Sequence, residues 1–312
     1  MKHATIHVVN STKGGLNMAV NLELLEELVA FKRYGTLTAT AEHLMITQPT
    51  VTRGMKKLED DLGVTLFDRS VKNRLVLTET GELAADEAAK LLQHVDDFEE
   101  KILNFDHLKN ELPASSTIPG PLMFLEYYQK EFPGKVQVNR RLLAPEEVVP
   151  ELRNLKAKLV FSSQEIMTDE VESLYLGNEF LKVAIDPFDP LATHSSLTFK
   201  DLGNKSFLVF QDIGQWKKVI EDNIENANFL YQNDMNTMEA ISQNSNFPFF
   251  ISNLTQSLPS TTDRSSADGP NRVIVNLDDP NNQMEVYASY LTSNRRQLQP
   301  LLKKLNQAWP KE

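Results

Sequence analysis

Residues 38–63 read TATAEHLMITQPTVTRGMKKLEDDLG, and two short helical patterns lie inside this one stretch. The first runs from about Thr38 to Leu44, with Leu37, Ala41 and Leu44 on one face. Met45 and Ile46 make the turn. Thr47 then stands where an N-cap belongs, and Pro49 falls in the first turn, where a missing N–H costs nothing. Val51, Met55, Leu58 and Leu62 recur at helical spacing and mark a core face. Left outside on the first turns are Gln48, Thr50, Thr52, Arg53 and Lys56. Taken alone, such a helix could be no more than a capped surface helix with solvated polar residues. Its flanks decide the reading.

Upstream, a helix pattern begins at Asn21, with Leu24, Leu25, Leu28, Val29 and Phe31 as a broad apolar face, and Gly35 ends it. Downstream of Gly63 the run VTLFDRSVKNRLVLTETG changes period. Leu66-Phe67 and Leu75-Val76-Leu77 flank a polar, basic centre containing Asn73, the pattern of a hairpin or wing. Thr78 to Glu82 then opens a long helix reaching about Leu108. Its apolar positions Leu83, Ala84, Leu91, Val95, Phe98, Ile102 and Phe105 run between charged faces. An exposed helix of that length needs a partner, most simply its own copy in a dimer.

The net charge of −11 argues against indiscriminate nucleic-acid binding by the whole surface. The charge is unevenly spread. Residues 18–81 carry 8 Lys/Arg against 9 Asp/Glu, whereas residues 110–312 carry 19 against 26. Arg53, Lys56, Lys57, Arg69, Lys72 and Arg74 fall in one short span, a local basic patch on an acidic carrier. There is no cysteine, which excludes disulfides and thiolate metal sites. The six histidines are scattered without metal-ligand spacing, so no metal is expected. No Gly-rich phosphate loop, GxSxG elbow or paired-histidine motif is present, and no enzyme is expected. No apolar run reaches membrane-spanning length and no secretory start is visible, so a cytoplasmic protein is the simplest expectation.

Residues 1–17, MKHATIHVVNSTKGGLN, lack helical periodicity and precede a second methionine, Met18. Lys13-Gly14-Gly15 can be encoded by a purine run resembling a ribosome-binding site just before the Met18 codon. A short tail and an untranslated leader both remain open. At the other end of the N-terminal region, NELPASSTIPGP reads as a linker and the start of a new domain. Beyond it, β-rich runs at 136–139, 159–161, 181–185, 207–210, 249–251, 273–275 and 286–290 alternate with helical ones. The helical runs lie near 121–131, 145–156, 215–225, 235–243 and 294–308. That alternation implies an α/β sheet.

With helix-turn-helix, wing and long helix in order, residues 21–105 resemble the LysR-type transcriptional regulators. The match is carried by LELLEELVAFKRYGTLTATAEHLMITQPTVTRGMKKLEDDLGVTLFDR followed by LTETGE. The resemblance implies an α/β multidomain chain: an N-terminal winged helix-turn-helix, a long linker helix, and a C-terminal two-lobed α/β domain resembling periplasmic binding proteins. IDPFDPLATHSSLTFKDLGNKSFLVFQ is similar to the family's entry into its second lobe, and VNLDDPNNQMEVYASYLTS to the return to the first. The expected division is a tail at 1–17, a DNA-binding domain at 18–81 and a linker and dimerisation helix at 82–109. Lobe I would take 110–179 with 284–312, and lobe II 180–283. Two stretches depart from the family pattern. Its first effector-domain strand should lie just before Ser115, where Glu111 and Pro113 stand, and NSNFPFFIS replaces a glycine-rich approach to a late strand.

The resemblance places Gln48, Pro49, Thr52 and Arg53 at DNA-contacting positions. Chemistry agrees, since arginine pairs bidentately with guanine and glutamine with adenine, while Pro49 and Thr50 could meet a thymine methyl. Lys56 and Lys57 suit phosphates, and Arg69, Lys72 and Arg74 suit the backbone or an adjacent minor groove. Ser115, Ser116 and Thr117 fall where the family presents hydroxyls and N–H groups to an effector. Ser162 and Ser163 follow a candidate strand end, where open α/β sheets bind ligands; Gln211 and Asn233 are further candidates of that kind. All of these could equally be loop residues capping the next helix. The implied partners are double-stranded DNA at an interrupted palindrome, the chain itself as dimer or tetramer, RNA polymerase, and a small-molecule co-inducer. A solute-binding protein without a transcriptional role would account for residues 110–312 but not for the N-terminal motif.

Overall fold

The computed structural model describes residues 5–7, 19–70, 74–109, 111–131, 135–256 and 272–310. The chain forms two compact units, Met1–Ile102 and Leu103–Glu312.

In the first unit, β1 (Thr5–His7) pairs antiparallel with β2 (Ala19–Asn21), so part of the segment expected to be a tail is a strand. Helix α1 (Leu22–Tyr34) starts where Asn21 Oδ1 accepts the Glu23 N–H at 2.9 Å, and stops at Gly35, whose φ of 73° suits a residue without Cβ. Helix α2 (Leu37–His43) is capped by Thr36, which accepts the Ala39 N–H at 3.1 Å. Helix α3 (Gln48–Leu62) ends on Gly63 at φ 68°. Leu28, Phe31, Val51, Met55, Leu66 and Phe67 form the buried centre of this unit, with Phe31 and Phe67 edge to face at 5.2 Å. Strands β3 (Phe67–Asp68) and β4 (Val76–Leu77) pair as the base of the wing, whose residues 71–73 lie outside the described ones. Helix α4 (Glu79–His107) follows. Thr78 opens it by accepting the Gly81 N–H at 3.0 Å while its hydroxyl donates to Thr65 O at 3.0 Å.

The second unit holds two sheets. One contains β5 (Glu111–Ser116), β6 (Lys135–Val138), β7 (Leu159–Ser162), β8 (Val171–Glu179) and β15 (Met284–Leu291), in the order β6-β5-β7-β15-β8. The other contains β9 (Leu181–Ile185), β10 (Ser196–Leu197), β11 (Ser206–Phe210), β12 (Asn228–Gln232), β13 (Phe249–Ser252) and β14 (Val273–Leu277), in the order β10-β14-β9-β13-β11-β12. Helices α5 (Pro119–Tyr128), α6 (Val148–Arg153) and α9 (Arg295–Ala308) accompany the first sheet; α7 (Trp216–Asn223) and α8 (Met235–Gln243) accompany the second. The chain crosses between sheets at Phe180 and again over residues 278–283. Buried asparagines hold both crossings. Asn253 accepts the Phe180 N–H at 3.1 Å, and Asn282 both accepts the Leu181 N–H at 2.9 Å and donates to Leu277 O at 2.8 Å.

One expectation is overturned here. Of NELPASSTIPGP, read as a linker and the start of a new domain, the described residues 111–121 hold no linker: Glu111–Ser116 is already strand β5, and Pro119 opens α5. Pro113 sits opposite Gln137 in the ladder with β6, but its nitrogen faces the β7 side, where the ladder begins one residue later at Ala114, so the missing N–H breaks no pair. The Pro113 carbonyl still accepts the Lys158 N–H at 2.9 Å. Strands β8 and β12 also lie outside the runs expected from sequence. β8 forms because β15 pairs with it along its whole length, a partner more than a hundred residues away.

Candidate functional site

On α3 the residues Gln48, Pro49, Thr52, Arg53 and Lys56 are exposed, and a 3.6-residue period places them on one face. Val51, Gly54, Met55 and Leu58 are buried on the opposite face, so core packing of α3 against α1 and α2 aims the first set outward. Thr47 occupies the N-cap position but makes no capping bond; its hydroxyl instead pairs with that of Thr50 at 2.8 Å, and Thr50 is half-buried. Lys57 is exposed beside this face.

The wing residues divide. The guanidinium of Arg69 is paired with Glu59 at 2.7 Å, and the same carboxylate accepts the Leu66 and Phe67 N–H groups at 2.8 and 3.0 Å. Burial pushes the Glu59 carboxyl upward, but Arg69 and the two N–H groups outweigh it and hold it below the usual carboxylate range. Glu59 thus ties the last turns of α3 to the wing, and Arg69 serves that tie. Arg74 is exposed, and Lys72 lies outside the described residues.

Behind α3 sits a group the sequence did not single out. Glu27 of α1 is buried against Gly54, where a Cβ would overlap its carboxylate, and its Oε2 has no partner among the described residues. Burial, with the charge of Glu23 one turn away, pushes its pKa up to about 7.

Along α4, Leu83, Phe98 and Ile102 are 62%, 65% and 56% exposed, and Leu91 and Phe105 are exposed as well. Those are large apolar side chains on a helix that buries only Gly81, Ala85 and Ala88.

In the second unit the candidate hydroxyls have different surroundings. Ser115 is buried and donates to Glu151 of α6 at 2.8 Å. Ser116 accepts the Ile118 N–H at 3.1 Å, and Ser162 donates to Gln164 O at 2.8 Å. Thr117 donates its N–H to Phe161 O at 3.0 Å, while its buried Oγ1 has no partner among the described residues. Ser163 donates to Gln215 Oε1 at 2.6 Å, and Gly214, at φ 58°, packs so closely on Thr117 O that a Cβ there would overlap it. Thr117 and Ser163, both following strands of the first sheet, therefore meet the turn that precedes α7 of the second. Gln211 and Asn233 stand exposed at the carboxyl ends of β11 and β12, joined by the Gln211 N–H donating to Gln232 O at 2.8 Å.

Sequence reasoning missed Gln215 and Glu179. Glu179 ends β8, accepts from Trp216 Nε1 at 3.2 Å and from Ser252, and lies where Gly120 leaves room. Burial raises its pKa, and the two hydrogen bonds work in the opposite direction. Nothing in the local pattern VESLYLGNE marks its last residue as buried. Among the described residues no group of three or more acidic, histidine or cysteine side chains is placed to hold a metal ion, and no helix is long and apolar enough to cross a membrane.

The first unit matches a known family model. Residues 22–82 match the model of the bacterial regulatory helix-turn-helix protein, lysR family. The HTH-type transcriptional activator CmpR of Synechocystis sp. is 24% identical over 229 residues, covering 71% of this chain and 74% of that protein. The HTH-type transcriptional regulator BsdA of Bacillus subtilis is 32% identical over 111 residues, 34% of this chain and 37% of its own. Among solved structures, a full-length OxyR variant from Pseudomonas aeruginosa aligns with a TM-score of 0.49 at 18% identity, covering 93% of this chain and 95% of that one. The matched segment spans α1, α2, the outward-facing α3, the wing and the first turn of α4, so the first unit carries a helix-turn-helix domain of the bacterial lysR type.

Proposed function

We propose that this DNA-binding transcriptional regulator reads a specific operator through the outer face of α3, and that an effector bound in the second unit modulates it. The observation that carries the first part is the single exposed face holding Gln48, Pro49, Thr52, Arg53 and Lys56 beside a two-stranded wing. Gln48 and Arg53 have the donors and acceptors to read base edges in a major groove, and Lys56 and Arg74 the charge to neutralise phosphates. Arg69, held by Glu59, has a structural task first. Two copies joined along the apolar face of α4 would set two recognition helices in successive major grooves of an interrupted palindrome. Pairing of such dimers into a tetramer, and contact with RNA polymerase at the promoter, belong to the same reading.

For the effector we assign residues 110–179 with 284–312 to one lobe and 180–283 to the other. Thr117 and Ser163 are the best placed of the candidates, because the Thr117 carbonyl packs on Gly214 and Ser163 donates to Gln215, both in the turn before α7, and the Thr117 hydroxyl has no partner among the described residues. Ser116 and Ser162 bond to nearby backbone, and Ser115 to the Glu151 carboxylate. A small molecule acts there through different affinities for two arrangements of the lobes.

A labelled fragment of the upstream intergenic DNA tests the reading by gel shift. Arg53→Ala should lose about 1–3 kcal/mol per half-site and relax base preference at one position. Equal weakening on every sequence would make Arg53 a phosphate contact instead. Glutamate at both Leu91 and Phe98 should split the dimer; light scattering that still returned the native assembly would place the interface elsewhere.

A further inference from the structure

Thr47, Thr50 and Thr52 suggest three hydroxyls offered to DNA from the start of α3. The structure gives every one of those hydroxyls a partner within the protein. The Thr47 and Thr50 oxygens lie 2.8 Å apart, and Thr52 Oγ1 donates to Gln48 O, one turn back, at 3.0 Å. A β-branched side chain bonded to the carbonyl four residues earlier is held in one rotamer, and the branch it leaves free is its methyl group.

Thr52 is exposed, with Gln48 one turn before it on the same face and Arg53 next to it. Pro49 adds an apolar ring to that face. The chain entering the helix is apolar as well: Met45, at φ 55°, is 91% exposed, and Ile46 is exposed beside it. Between the two polar readers Gln48 and Arg53, the outer surface of α3 thus carries methyl and methylene groups. The apolar feature that a base pair presents in the major groove is the 5-methyl group of thymine.

We propose that Thr52 is a specificity-determining residue that reads a thymine through methyl-to-methyl contact, its hydroxyl remaining on Gln48 O. Turning the hydroxyl to a base would exchange one hydrogen bond for another with little gain. Burying the two methyl groups against each other removes apolar surface from water, equivalent to about four-fold in affinity for one such group. This inference rests on α3 being the element that enters the major groove.

The test uses the full chain and the DNA site defined by its own footprint, with each thymine of a half-site replaced singly by uracil, which removes only the 5-methyl. One such replacement should weaken binding about four-fold. Thr52→Val, which keeps the methyl and drops the hydroxyl, should bind like the parent and stay sensitive to that uracil. Thr52→Ser, which keeps the hydroxyl and drops the methyl, should bind about four-fold more weakly and become indifferent to it. Tight binding by the serine variant with weak binding by the valine variant would overturn the proposal in favour of hydroxyl readout. Indifference of the parent protein to every uracil would also overturn it, and that measurement needs no variant to fold. If Arg53→Ala still altered base preference in that case, α3 would remain the reading helix; if it did not, the reading of α3 itself would fail.

Discussion

Each unit of the molecule buries a carboxylate against a helix glycine, and the two are stabilised differently. Glu27 of α1 lies over Gly54 of α3; Glu179 at the end of β8 lies over Gly120 in the first turn of α5. A Cβ on either glycine would overlap the acid. Glu179 is enclosed on all sides and held by Trp216 and Ser252, whereas Oε2 of Glu27 has no partner among the described residues. A buried acid with donors around it fixes the geometry of its neighbours. One without donors persists by keeping its proton, and so responds to pH.

Gly120→Ala should have the largest effect on this contrast. The added methyl meets a carboxylate that has nowhere to turn, a case of overpacking expected to destabilise by about 2–3 kcal/mol. Both tryptophans, Trp216 and Trp309, belong to the second unit, so denaturant unfolding followed by tryptophan fluorescence reads that unit directly. An unchanged midpoint would show that Glu179 is free to move.

A smaller effect is expected from pH on the first unit. The pKa of Glu27 is raised from an ordinary 4.5 to about 7 on folding. The folded unit therefore binds the proton more tightly than the unfolded chain. The stability this confers is fully present below pH 4.5 and is lost as pH rises through 7. Allowing for solvent screening in so small a unit, the swing should be on the order of 1–2 kcal/mol. Amide exchange in α1 and α3 measures it, and Glu27→Gln should flatten the pH profile over that window. A profile of the same slope in the glutamine variant would assign the effect to another group.

Gly54→Ala should matter least. Alanine improves an α-helix by about 1 kcal/mol over glycine, offsetting the displacement of a carboxylate whose Oε2 no donor among the described residues retains. Stability should change by less than about 1 kcal/mol, and the pH dependence should vanish as Glu27 moves toward water. A loss as severe as that of Gly120→Ala would erase the distinction between the two acids.

The same division governs what could be read from the residues. The exposed face of α3 was legible because a helix sorts neighbours by a 3.6-residue period, and Val51, Met55 and Leu58 declare the buried side. The wing was legible from the change of period after Gly63. By contrast, β5 was obscured by Pro113, whose acceptability depends on where the ladder to β7 begins. β8 depended on β15, and Glu179 on Trp216 and Ser252, all remote in sequence. Even on α3 the pattern could name the threonines without saying where their hydroxyls point.

What the amino-acid order determined by itself is local: the helices of the first unit with their capping and terminating residues, the outward set Gln48, Pro49, Thr52, Arg53 and Lys56, and the apolar run along α4. Only the tertiary structure decided that Arg69 is held by Glu59, that Ser115 is directed to Glu151 while Thr117 and Ser163 meet the turn before α7, and that Glu27 and Glu179 are buried against glycines. The physical reason is range. Backbone periodicity and capping act over a few residues, whereas desolvation and side-chain pairing depend on whichever distant segments the packed sheets and helices bring together.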